Sequence, residues 1–180
     1  MASLYVTHGG GPIPILKKED HKVMFQQFES IQKRFPNPKG IIVFSAHWEE
    51  SDWTILDHDN PPLLYDYSNF PPESYNLPYR MSSSSELRNQ VKQHLQKNGV
   101  ELKSETKRGY DHGVFIPLMI MYPDGKVPVI QISLLENLNP EAHFRMGQAV
   151  KDLKKEGFII FGSGSSVHGA FREESSIKLS

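Results

Sequence analysis

Gly40-Ile41-Ile42-Val43-Phe44-Ser45-Ala46 is the stretch on which the fold turns. Its β-branched and aromatic residues follow one another without polar alternation. That pattern is expected of a strand covered on both faces, as in a parallel sheet with helices on either side. Phe158-Ile159-Ile160-Phe161 repeats it, and Val127-Pro128-Val129-Ile130-Gln131-Ile132 reads as another strand. Leu4-Tyr5-Val6-Thr7 supplies a first strand, and Trp53 to Leu56 a shorter one, parallel or antiparallel.

The segments between these runs have helical spacing. Val23, Met24, Phe28 and Ile31 repeat at helical intervals between Glu19 and Arg34, and Pro36 and Pro38 close that segment. Ser82 to Ser85 offer N-caps for a helix from about Glu86 to Lys97, ended by Asn98-Gly99. Val114 to Met121 reads as a short buried helix. Pro140 to Glu156 reads as a helix with proline at its start and Gly157 past its end. Strands alternating with helices predict an α/β fold, a three-layer sandwich around a mostly parallel or mixed central sheet. At 180 residues the chain is expected to form one domain, 1–180. From Asn60 to Tyr79 runs a long segment rich in proline, tyrosine and asparagine, a length that suits a lid or binding loop.

Composition narrows the chemistry. The formal net charge is −1 and no Lys/Arg run stands out, which argues against nucleic acid or an anionic membrane surface as partner. With no cysteine, disulfides, thiolate ligands and a cysteine nucleophile are excluded, so any metal must rest on imidazole and carboxylate. Met1-Ala2-Ser3 leads straight into a strand, without the basic and apolar regions of a signal peptide, and a cytoplasmic location is expected.

Four histidines stand where strand-like runs give way to turns: His8, His47, His112 and His168. In an open α/β sheet the carboxyl ends of neighbouring strands converge on the crevice where ligands bind. The metal site is therefore expected there, with His8, His47 and His168 as ligands. Imidazole suits Fe, Zn, Cu and Ni. Each could equally be a polar strand-end residue bonded to nearby backbone. His112, in Tyr110-Asp111-His112-Gly113, reads as a proton carrier, because an imidazole takes and returns a proton near neutral pH. A turn histidine is the plainer alternative, although the neighbouring Asp111 could support it. Glu49 and Glu50 are either carboxylates that orient an imidazole or part of a solvated loop. His21, His58, His94 and His143 read as surface residues. Gly162-Ser163-Gly164-Ser165-Ser166 matches neither a nucleophile elbow nor a phosphate loop, but fits a tight turn.

Taken in order, several blocks resemble the class III extradiol ring-cleavage dioxygenases, in the DOPA-dioxygenase branch. They are His8-Gly9, Ser45-Ala46-His47-Trp48-Glu49, Pro61-Pro62 with Tyr65-Asp66-Tyr67 and Phe70-Pro71, Tyr110-Asp111-His112-Gly113, Met121-Tyr122-Pro123 with Pro128 to Ser133, and Gly162-Ser163-Gly164 through His168. The likeness runs across nearly the whole chain. It implies a non-haem Fe(II), or Zn(II) in the purified protein, and a small DOPA-like catechol opened with O2 to a muconic semialdehyde. By position, His8 and His47 would be metal ligands, His168 a ligand or close neighbour of the metal, and His112 the catalytic acid/base. Tyr65, Tyr67 and Phe70 would suit a planar aromatic substrate. The family's usual C-terminal segment, with a further histidine in a Pro-Glu-His context, has no counterpart here. The expectation is thus a C-terminally shortened domain, or one that uses His168 as third ligand. A homo-oligomer is compatible with this reading. The alternative is a non-catalytic metal-binding relative that keeps the fold for an interaction role.

Overall fold

The computed structural model describes residues 1–165. Along the chain come β1 (Ser3–Val6), α1 (Ile13–Leu16), α2 (Lys22–Arg34), β2 (Gly40–Glu50), β3 (Thr54–Leu56) and α3 (Ser85–Lys97). They are followed by β4 (Lys103–Glu105), α4 (His112–Met121), β5 (Val129–Leu135), α5 (Pro140–Val150) and β6 (Phe158–Ser163). Among the described residues the strands make one sheet in the order β1-β6-β2-β5-β3-β4. Every pairing is parallel except β3 against β5. The mixed three-layer sandwich expected from the apolar runs is the fold found.

The missing alternation in β2 and β6 has its reason in the two cores. Ile41 and Val43, with Ile159 and Phe161, pack against Phe28 of α2 and Val114, Leu118 and Met121 of α4. Ile42 and Ile160 point the other way, towards Leu87, Val91 and Leu95 of α3 and Met146 and Val150 of α5. Burying each such side chain stabilises the fold by about 1.5–3 kcal/mol relative to leaving it exposed.

Helix ends follow the local chemistry. The Ser84 side chain accepts a hydrogen bond from Leu87 N and caps α3. Asn139 caps α5, with Pro140 at its first position. The helical pattern expected from Pro140 to Glu156 divides: α5 ends at Val150 and a 3-10 stretch, Lys151–Glu156, completes it. Likewise the segment before Arg34 begins with a 3-10 turn, Lys18–His21, and becomes α2 only at Lys22. No helix among the described residues is long and apolar enough to cross a membrane.

Two features position the site. β1, β6 and β2 are parallel neighbours, so their carboxyl ends lie side by side at one end of the sheet. In addition, β2 breaks register against β5 between Phe44 and Glu49: five steps along β2 match two along β5. A bulge of this kind bends a strand and re-aims its side chains.

Candidate metal centre

His8 follows β1, His47 sits in the bulged part of β2, and His112 opens α4. These three imidazoles meet. Their candidate ligand atoms all lie within 4.8 Å of one another. The His8 and His47 Nε2 atoms are 2.9 Å apart, and the ring centroids of His47 and His112 are 4.0 Å apart. His8 and His112 are buried, and the His47 side chain is 23% exposed. The turn that delivers His8 needs glycine: Gly9 has φ +80°, and a Cβ there would meet Pro14 Cγ at 2.5 Å.

The hydrogen bonds around two of the rings decide which nitrogen they present. Pro117 lies inside α4 and has no N–H to donate to the Gly113 carbonyl one turn back. The Ser163 hydroxyl donates to that carbonyl instead. Ser163 has only one hydrogen, so its 2.9 Å contact with His8 Nδ1 must be donated by the ring. His8 is thereby left with its lone pair on Nε2. Asp66 does the same for His112, accepting from its Nδ1 at 2.7 Å and from its backbone N–H at 3.0 Å. Metal-binding imidazoles are ordinarily fixed in this way through their other nitrogen. Zn–N bonds run at about 2.0–2.1 Å. Neighbouring ligand nitrogens on one cation therefore stand about 3 Å apart, as His8 and His47 do. The donor set fits a metal ion.

Burial alone would push the Asp66 carboxyl up, but the hydrogen bonds from the His112 ring and backbone and the attraction of that imidazole outweigh it. Its pKa lies below the ordinary value, and the group stays a carboxylate. Its second oxygen is 3.8 Å from His47 Nδ1, so one carboxylate addresses two of the three rings.

The long loop supplies an aromatic wall. Tyr67 stands 5.7 Å from the His112 ring between centroids, and it packs on Phe70, Tyr75 and Tyr65. Tyr65 leans in turn on Phe115 of α4. Burial, with Tyr65, Tyr75 and Asp66 nearby, pushes the Tyr67 phenol up, and its O–H donates to Ser74 O at 2.5 Å.

Of the histidines expected at the site, His8, His47 and His112 come together, while His168 lies outside the described residues. Glu50 accepts the Trp48 indole N–H at 2.7 Å, and Glu49 is exposed; the carboxylate that addresses the rings is Asp66. Asp66 and Ser163 carry no signal of their own in the sequence. Pro117 within an apolar helix is the one hint, because it frees the carbonyl that Ser163 occupies. The four histidines expected at the surface, His21, His58, His94 and His143, are each partly buried; His21, His94 and His143 bond to the carbonyls of Lys17, Ala149 and Asn139, and His58 Nδ1 accepts from Asn60 N–H.

Residues 2–178 match the family described as the catalytic LigB subunit of aromatic ring-opening dioxygenase. The chain belongs to the LigB family. It is 36% identical over 169 residues to a 4,5-DOPA dioxygenase extradiol of Beta vulgaris, covering 92% of this chain and 62% of that one. It is 35% identical over 170 residues to dioxygenase tasH of Hapsidospora irregularis (88% and 52%). A 4,5-DOPA dioxygenase extradiol of Escherichia coli K12 is 31% identical over 168 residues (93% and 60%). The crystal structure of an uncharacterized protein from the same bacterium superposes with TM-score 0.65 at 26% identity, covering 81% of this chain and 54% of the other. The chain thus spans between half and two thirds of the length of these LigB relatives.

Proposed function

We propose that this LigB-family chain takes part in the metal-dependent extradiol cleavage of a small, DOPA-like catechol by O2, both oxygen atoms entering a muconic semialdehyde. One observation carries the reading: three imidazoles from separate elements converge where the parallel strands end, with two of their tautomers fixed so that Nε2 faces the cluster. His8 and His47 hold the metal, with His168 as further ligand or close neighbour. Fe(II) is the working ion, with Zn(II) as an occupant of the purified protein. When bound, the ion supplies orientation of the two substrates and stabilisation of the charge that develops on them.

The chain's own residues do the rest. His112 takes a phenolic proton on Nε2 and later returns it, and the Asp66 carboxylate on Nδ1 steadies the imidazolium in between. Tyr65, Tyr67 and Phe70 form the aromatic side of the substrate pocket, with Tyr67 nearest His112. The buried setting of His8 and His112 keeps bulk water from competing for the proton.

Anaerobic loading with Fe(II), followed by oxygen and L-DOPA, tests this through oxygen uptake and a yellow semialdehyde. The expected result is product formation that disappears in His47→Ala together with most of the bound metal. Stoichiometric metal without oxygen uptake would sink the catalytic reading and leave a metal-binding relative. Unchanged metal content in His47→Ala would remove that residue from the ligand set.

A further inference from the structure

Asp111 sits next to His112, yet its carboxylate makes no hydrogen bond to the first turn of its own helix. It occupies the N-cap position of α4 without capping it, although aspartate there would ordinarily bond the first turn's N–H groups. Its side chain is fully buried. A buried carboxylate is tolerated only when donors surround it. Among the described residues these are Ser45 Oγ at 2.6 Å, Gln131 Nε2 at 2.5 Å and Arg108 Nη2 at 3.5 Å.

Two of those donors lead to a common place. Ser45 Oγ also accepts from the backbone N–H of His47 at 3.2 Å, and Arg108 Nη2 also donates to the backbone carbonyl of His47 at 3.0 Å. Both polar groups of the His47 backbone thus connect, through one intermediary each, to the same carboxylate. Their position explains the need. Pairing of β2 with β6 ends at Ser45, and pairing with β5 jumps from Phe44 to Glu49. Within the bulge the sheet ladder no longer sets where the His47 backbone lies.

Two further observations concern the surroundings of this arrangement. Gln131 Oε1 and Arg108 Nε are buried without a partner among the described residues. Such unpaired groups cost stability and call for a reason. Gly113 packs so closely that a Cβ would meet Ser45 Oγ at 2.4 Å and His47 Cδ2 at 3.1 Å. The start of α4 is therefore pressed directly against the bulge.

We infer that Asp111 is a positioning residue: through Ser45 and Arg108 it fixes the bulged backbone of His47 and so sets that ring relative to His8 and His112. The inference builds on the metal reading above, but its first readout needs no metal. In Asp111→Asn an amide N–H replaces one acceptor oxygen opposite the Gln131 and Arg108 donors. Amide hydrogen exchange at His47, followed by NMR on the metal-free protein, is expected to accelerate at least tenfold, with protection at Val43 unchanged. Arg108→Lys, at a partly exposed position that keeps the charge but loses the fork, is expected to show a weaker version of the same local effect. Co(II) titration, read by its visible absorption, should then show affinity lowered about 10–100-fold in Asp111→Asn with an altered band shape. Equal His47 exchange in parent and both variants would overturn the positioning role whatever the metal does. So would faster exchange at His47 and Val43 alike, which marks general loosening. A parent protein that takes up no Co(II), with exchange at His47 responding as expected, would overturn the metal reading alone.

Discussion

The two halves of β2 are built on opposite terms. From Gly40 to Phe44 the strand is paired on both sides and almost wholly apolar, and its position follows from the ladder and from packing on two helical layers. From Ser45 to Glu50 the register slips and polar residues appear. There the backbone is set by side chains that come from as far away as Arg108 and Asp111. A continuous strand thus passes from a part that stabilises the fold to a part that is placed for chemistry. Stability and site geometry should therefore respond to different substitutions.

The largest separation is expected from His112→Ala. Turnover of a catechol should fall by about 10²–10⁴-fold, while metal content and melting temperature stay near the parent's; loss of metal would make His112 a ligand instead. Next comes Ile42→Ala, in the ladder half, fully buried. Chemical denaturation should show a loss of about 2–5 kcal/mol, with one metal still bound below the transition. A variant that loses metal without losing stability would erase the distinction between the halves. Ser163→Ala removes the acceptor for His8 Nδ1, and metal affinity should drop by about 10–100-fold, while the Gly113 carbonyl left unpaired costs about 1–3 kcal/mol of stability. Last, Ser84→Ala strips the cap from α3, remote from the cluster. About 1 kcal/mol of stability should be lost and metal affinity should not move.

The same division explains what the sequence reveals. Apolar runs announce β2, β5 and β6 because burial on both faces leaves no room for polar residues. The Ser84 cap and Pro140 announce the starts of two helices through purely local chemistry. β4 is silent: Lys103-Ser104-Glu105 is largely exposed at the sheet edge, so nothing apolar marks it. The continuation of β2 through His47 and Trp48 is equally hidden, since its support comes from other elements. His8, His47 and His112 are readable as strand-end histidines. Their orienting partners Ser163 and Asp66 are not, because each depends on a contact between segments 155 and 46 residues apart. Resemblance to a family recovers the histidines more readily than the groups that aim them.

The placement of β1 also bears on how the molecule is made. Among the described residues this strand pairs with β6 alone, and His8 finds its orienting hydroxyl 155 residues further along the chain. Ribosomes add about 5–20 residues each second, so His8 is synthesised roughly 8–30 s before Ser163. During that interval α2, β2 and β5 have the residues they need to begin condensing, while β1 still lacks its neighbour. The cluster of His8 with its orienting hydroxyl is consequently completed only once β6 has been made, so the ring is aimed late relative to its own synthesis.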